Sequence, residues 1–518
     1  MGLNASLSIA NSGLHSIESQ LAVASENVSN SGTPGYVQET AVVNSAVTGG
    51  VGAGVRNGNT ALSVSPFLQK ALYTQNAEVS GLTVESNSLA SLSAVQGTTT
   101  SSSDSSGTDS TANTLTDLLQ NVSSALTSLT ATPDQSASQA SVVSYAQSLT
   151  DNIHTLASVY QTQRQSAEDS IGTAVSGVNT DLTSIGQISQ KIMAVKAGGG
   201  DTASLENQRY EAMNDLSSKL GVQYTEKSNG DMVVRTQDGT IIPTRPDQIN
   251  QNDSTQKLPS STWPLITSSE NISSSMYYKA GDAQSIPGIM LGDKDITSHL
   301  TGGTLGANIT LRDETYPKMQ AQLDSFSYTL INRFSSAGLP LFTNGTSSPL
   351  SGDTQKTTPN GIVGLSSAIS VNATYAAKPS LLTTDASGNT GVTSTITSAL
   401  QNAFGTSTDD TTGAMSSPTS KLGPDGGISI SYSGSQGLSE LATSLTTDQA
   451  SVIANASSNL TSATSMKTTL STKVANVSSV DVNSQMADVV TLQNAYTANA
   501  KVVSAVQSMF SALLGAIN

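Results

Sequence analysis

The sequence predicts a mainly α-helical, elongated, multidomain chain with a β-rich insert: terminal helices paired as a coiled coil, a bundle of long helices, and an outer β domain. Three observations carry this. Both ends repeat apolar residues at helical spacing. The stretches just inside them do so over tens of residues. The period drops to two only from about residue 222.

At the N-terminus, Leu3, Leu7, Ala10, Leu14, Ile17, Leu21, Ala24 and Val28 alternate in steps of four and three, a heptad stripe. Ser31-Gly32-Thr33-Pro34-Gly35 must end it. Residues 42–58 are glycine-rich without helical spacing and read as an extended connector with turns; with no Gly-Lys-Ser/Thr they are no phosphate loop. Helices follow over 66–95, 115–131 and, much longer, 139–195. Gly97 to Thr111 form a Ser/Thr/Gly/Asp loop between the first two. Gly198-Gly199-Gly200 stops the long helix, and Asp201 caps one that ends at Leu220-Gly221.

Val222–Tyr224, Asn229-Gly230, Met232–Val234, Asp238-Gly239 and Thr240–Ile242 then read as strand, turn, strand, turn, strand, opening a β-rich insert over 222–302. The single tryptophan, Trp263, lies in it and reads as core. Helix returns at 306–337. Residues 341–435 are mostly loop, with a short helix near 395–404 and the Asp409-Asp410 pair in a solvated stretch. A last bundle helix runs to about Val477. Asp481 caps the C-terminal helix, whose stripe is Val482, Met486, Val489, Leu492, Tyr496, Val503, Val506, Phe510, Leu513 and Ile517. Each terminal helix is roughly 45 Å long at 1.5 Å per residue, and neither can bury its stripe alone; the two can bury each other. The expected units are therefore 1–58 with 480–518 (terminal helices), 59–221 with 303–340 and 436–479 (bundle), 222–302 (outer β domain), and 341–435 (loop-rich, partly packed on the bundle).

Composition narrows the function. The 518 residues carry a formal charge of −16, which disfavours nucleic acid and anionic membrane surfaces as partners. There are no cysteines and three scattered histidines, His15, His154 and His299, so thiolate chemistry is excluded and a histidine metal cluster is not expected. No secretory signal or membrane-spanning stretch is visible, and no protease, hydrolase or kinase motif occurs. The expectation is a protein without catalytic residues, metal or cofactor.

Ser25-Glu26-Asn27-Val28-Ser29-Asn30-Ser31-Gly32-Thr33-Pro34-Gly35-Tyr36, following a heptad helix, resembles the N-terminal signature of the flagellar rod, hook and hook-associated proteins. Leu205-Glu206-Asn207-Gln208-Arg209 resembles the Leu-x-Asp-Gln-Arg-Asp helix of the hook-associated members, with Asn207 and Tyr210 in place of its aspartates. Gly303–Ala307 and Asp481–Ala487 are similar to further stretches of that family, Ser484 and Gln485 replacing two glutamates. The resemblance implies a structural subunit at the hook–filament junction. It implies export through the flagellar type III channel, a cytoplasmic chaperone on the C-terminal helix, and extracellular contacts with itself, the hook protein and the next hook-associated protein. The assembly interface it implies is Leu3, Leu7, Leu14, Ile17, Leu21, Val28, Tyr36, Val482, Met486, Val489, Leu492, Tyr496, Val503, Val506, Phe510, Leu513 and Ile517. Rival readings are another axial subunit (hook, distal rod or flagellin) and, further off, a secreted adhesin.

Overall fold

The computed structural model describes residues 2–33, 35–96, 114–249, 260–282, 285–346, 362–405 and 416–516. The fold is mainly helical with small sheets. Helix α1 (Leu3–Asn30) is followed by β1 (Glu39–Thr40), β2 (Val43–Thr48), β3 (Val51–Asn57) and β4 (Ala61–Leu62). The long helices are α2 (Pro66–Gln96), α3 (Leu115–Ala131), α4 (Ser136–Ala197) and α5 (Ala203–Lys219). Thr114 caps α3 through a reciprocal box with Asp117. Helix α4 runs 62 residues without a break until the predicted triple glycine. At α5 the N-cap is Thr202, without a side-chain cap; Asp201, expected to cap the helix, lies one residue earlier and accepts from the Ala203 amide at 3.0 Å.

The β region comprises β5 (Val222–Glu226), β6 (Met232–Thr236) and β7 (Ile241–Ile242) in one antiparallel sheet. A second contains β8 (Leu265–Ile266), β9 (Met290–Leu291) and β10 (Lys294–Asp295). Both predicted hairpin turns are present: Gly230 and Gly239 take positive φ. The sheets have little core of their own. Val222, Met232, Val234, Ile242, Leu265, Ile289 and Ile296 share a hydrophobic cluster with Ile171, Val178, Leu182 and Ile185 of α4 and Met213 and Leu216 of α5. Two- and five-residue strands cannot enclose a core, so they borrow a helix face. Trp263 is buried, as expected.

Helix α6 (Gly303–Thr310) passes through a π turn at Leu311–Thr315 into α7 (Tyr316–Ser336). The segment expected to be mostly loop carries more structure than its composition suggests: β11 (Phe342–Thr343) pairs with β12 (Ser370–Val371), and α8 (Leu365–Ala368), α9 (Ala373–Ala377) and α10 (Ser394–Asn402) surround them. Leu341, Phe342, Ile369, Leu382, Ile396 and Leu422 of this segment sit in the main core with α3, α7 and the first half of α4. Spaced apolar residues in a Gly/Pro-rich segment pack individually rather than as a periodic face, which hides them from a periodicity reading. The loop expected at 97–111 and the Asp409-Asp410 pair lie outside the described residues.

Helices α11 (Leu438–Ser478) and α12 (Val482–Gly515) complete the chain. Asp481 caps α12, accepting from the Asn483 amide at 3.0 Å and the Ser484 amide at 3.3 Å. Helix α11 lies along α2, and α12 along α1. No described helix is long and apolar enough to cross a membrane.

One expectation fails outright. Residues 42–58 form a regular two-stranded hairpin, β2–β3, bulged between Ala46 and Val47, not an extended connector. It rests on α1, where Ser12 Oγ accepts from the Val55 amide at 3.2 Å. Gly54 (φ +111°) fits only as glycine: an added Cβ would lie 2.2 Å from Ser12 Oγ. Of the glycines that masked strand character, Gly49 and Gly50 make the turn and Gly54 the close approach.

Candidate assembly surface and joint

Helices α1 and α12 run antiparallel. Asn27 meets Gln485 at one end, and Gly13 lies against the Asn499 amide further along. On α1 the seam is Ala10, Ile17 and Ala24, all buried, with Leu7, Leu14, Leu21 and Val28 half-buried beside it. On α12 Val506 is buried and Val489, Leu492, Val503 and Phe510 are half-buried. The other proposed interface residues of α12 are not on this seam: Val482 is 39% exposed, Met486 50%, Tyr496 38% and Leu513 51%. The expectation that the two stripes bury each other is thus met only in part. Val490, Val502, Met509 and Leu514 are further exposed apolar residues of α12, spread to either side of the seam rather than along one stripe. The seam on α12 passes through Gln485 and Asn499, so an apolar-only stripe slides one residue off register at Met486. The Leu3 side chain and Ile517 lie outside the described residues.

The paired helices join the bundle at a compact polar knot. Asn27 is buried, and its amide clamps the backbone of Glu39 on both sides. Nδ2 donates to the Glu39 carbonyl at 2.8 Å, and Oδ1 accepts from the Glu39 amide at 2.9 Å. The same Oδ1 accepts from the Tyr36 hydroxyl at 3.1 Å, and Nδ2 also reaches Gln485 Oε1 at 3.1 Å. From the bundle side, Asn207 on α5 does the same to Val37, accepting from its amide at 2.9 Å and donating to its carbonyl at 3.0 Å. It also donates to Glu39 Oε1 at 2.8 Å. The Gln38 amide bonds the Ser478 carbonyl at the end of α11 at 2.8 Å. Residues 36–39 therefore tie α1, α5, α11 and α12 together. Every buried backbone group so clamped would otherwise lose its partner to a low-dielectric site.

The charges here are one-sided. Burial holds the Glu39 carboxyl above its ordinary range; the Asn207 bond works the other way, and Glu26, Asp201 and Glu206 add like charge. Burial, with Glu39 and Glu26, also pushes the Tyr36 phenol up. Asp201 goes down despite some burial, because Thr60 and the Thr60, Ala203 and Thr202 amides donate to it. The amide at 207, where the resembled family carries a carboxylate, therefore donates to Glu39 and adds no further negative charge. Of this knot the sequence reading named Tyr36 alone as a site residue. Asn27 stood inside the recognised signature, but Glu39, Asn207 and Gln485 gave no signal of their partnership, because the contacts are separated by up to 458 residues.

The histidines stay apart: His154 Nε2 meets the Ile369 carbonyl at 2.6 Å, His299 pairs with Asp238, and exposed His15 lies 3.3 Å from Glu18. Among the described residues no three His, Asp or Glu side chains are grouped to hold a metal.

Comparison with known proteins matches this architecture in two places. Residues 101–346, which hold α3 to α7, match the model of the flagellar hook-associated protein FlgK helical domain. Residues 474–516, essentially α12, match that of the flagellar basal body rod FlgEFG protein C-terminal region. Both matched models are of flagellar hook-associated and basal body rod proteins, and the stretch similar to the rod-type C-terminal region is here the partner of α1. The longer of the two matches, just under half of the chain, is to the helical domain of FlgK hook-associated proteins. Flagellar hook-associated protein 1 of Escherichia coli (strain K12) is 22% identical over 228 residues, 43% of this chain and 40% of that protein. The match thus spans under half the length of that relative. The solved flagellar hook junction protein FlgK from Burkholderia pseudomallei is 20% identical, covering 52% of this chain and 43% of that one, with a TM-score of 0.38.

Proposed function

We propose that this chain is a structural subunit of the bacterial flagellum at the hook–filament junction, polymerising through its terminal helices and adapting hook to filament. The observation that carries the reading is the pairing of α1 with α12, the helix that matches the rod-protein family, beside a bundle that matches the FlgK helical domain. The apolar side chains left exposed on α12 outside the seam support contacts with neighbouring copies. Heterologous contacts of this kind, repeated without closing, build helical layers. In this reading the units are the terminal helices (1–58, 480–518), the bundle (59–221, 303–340, 436–479), the outer β region (222–302) and the segment 341–435. The chain leaves the cytoplasm by type III export, a chaperone shields α12 beforehand, and the hook protein and the next hook-associated protein are its neighbours. It performs no catalysis.

The test is electron microscopy of a strain lacking the gene, with an assay for flagellin in the medium. Hooks without filaments, with flagellin monomers shed, are expected. Missing hooks would place the chain in the rod or hook instead, the reading that the rod-type C-terminal match also fits. Intact filaments would overturn both.

A further inference from the structure

The knot at residues 36–39 holds more than is needed to fasten two helices. Glu39 sits where three parts of the chain meet: its backbone is clamped by Asn27 of α1, its carboxylate by Asn207 of α5, and Gln485 of α12 shares the Asn27 amide. Its side chain is 4% exposed. No lysine or arginine offsets it among the described ion pairs. The titratable groups that face it are Glu26 on α1, Tyr36 on its own segment, Asp201 before α5, and Glu206 on α5. Across the adjoining cleft stands Asp488 on α12. That cleft, about 400 Å³ and lined by Gln20, Gln38, Thr40, Gln485 and Asp488 among others, has no cation on its walls. A buried carboxylate among carboxylates, with one side-chain donor and an open cleft beside it, is held less firmly once it loses its proton.

We propose that Glu39 is a proton-operated latch, fixing the terminal helix pair to the bundle when protonated and releasing the segment 36–40 toward the cleft when ionised. The sign follows from linkage. A carboxyl whose folded form holds its proton more tightly than the unfolded chain stabilises the fold at low pH, and that contribution is lost as pH rises through the folded value. Ionisation drives the carboxylate to water, and the backbone clamps of Asn27 and Asn207 open with it. Glu39→Gln keeps the shape and the Asn207 contact and removes the charge, so it holds the latch shut at every pH. The proposal rests on the joint alone and stands or falls apart from the assembly role.

The chain has no cysteine, so two introduced ones report cleanly. With spin labels at Asn494→Cys on α12 and Gln208→Cys on α5, both exposed positions, distances are measured on the full chain from about pH 4 to about pH 8. The wild-type distribution should be narrow in acid and broaden as pH rises, while Glu39→Gln stays narrow throughout. Amide exchange at Val37 and Glu39, corrected for intrinsic rates, should accelerate about tenfold or more over that range in the wild type only. Glu206→Gln, which removes one like charge and leaves the clamps intact, should move the transition to lower pH. It serves as the test should Glu39→Gln fold poorly. A pH-independent wild-type distribution, broadening in acid instead, or a Glu39→Gln variant that follows the wild type overturns the proposal.

Discussion

At the scale of single residues, two asparagines do what hydrophobic burial does elsewhere in the chain. Asn207 satisfies both backbone groups of Val37 and the Glu39 carboxylate, so Asn207→Ala leaves three polar groups without that partner. We expect a local cost of about 1–3 kcal/mol, read as faster amide exchange at Val37. Asn207→Asp should be worse at neutral pH, because it sets a second carboxylate against Glu39. Combining it with Glu39→Gln should restore part of the protection, since the glutamine amide can donate to the new carboxylate, although the Val37 carbonyl still lacks its donor. If Asn207→Asp exchanges as slowly as the wild type, the like-charge account of this site fails. Gly54 gives a second test: Gly54→Ala must displace Ser12 or lift the hairpin from α1. Increased proteolytic cleavage within residues 43–57 is expected, and Ser12→Ala should relieve part of it. An unaltered cleavage pattern in Gly54→Ala would show that the hairpin does not depend on this approach.

At the scale of elements, α4 is the spine, and a charged layer divides its two cores. Its apolar residues up to Ala167 belong to the cluster with α3 and α7, and those from Ile171 to the cluster with the sheets. Between them, Arg312 of the π turn donates to Glu168 at 2.7 Å and to both carboxylate oxygens of Asp313 at 2.8 and 2.7 Å. Arg164 donates to the carbonyls of Arg312, Ser273 and Met276, pinning the segment between β8 and β9. Burial lowers Arg164 to about 10. Arg312→Met strands a Glu168 that is 2% exposed and should cost about 3–5 kcal/mol. Arg312→Met with Glu168→Leu should recover most of it, both read as the thermal midpoint. A single variant as stable as the wild type would mean that Glu168 finds water. The helices themselves were legible in the sequence: α1, α3, α5, α11 and α12 begin and end within a few residues of where periodicity, glycine runs and caps place them. The β2–β3 hairpin, the π turn and the packed elements of 341–435 were not, because each depends on contacts distant in sequence. Hairpin strands show only when paired, a π turn forms where a buried arginine needs its partners, and isolated apolar residues declare themselves core only when a neighbour covers them.

At the scale of the whole molecule, the fold separates a thin helical pair from a thick, doubly cored body, with a polar knot between them. The separation predicts two kinds of mutant on one helix. Val503 and Val506 lie on the seam with α1, whereas Val490 and Leu513 lie off it on different faces of α12, 54% and 51% exposed. Val503→Asp or Val506→Asp should unpair α12 within a single chain, seen as loss of protection along both terminal helices, and assembly should fail as a consequence; Leu14, Leu21 and Phe510, half-buried beside the same seam, should behave likewise. Val490→Asp or Leu513→Asp should leave protection in the monomer unchanged, because those side chains cost little to make polar where water already reaches them, yet, on the proposed function, should still block incorporation into the junction. The middle of the chain should keep its thermal midpoint in both sets, since the terminal pair lies outside both buried clusters. If the off-seam variants assemble normally while the seam variants do not, α12 serves only to brace α1, and contacts between copies must run through α1 and the β2–β3 hairpin, where Val43, Val47 and Val51 are also exposed.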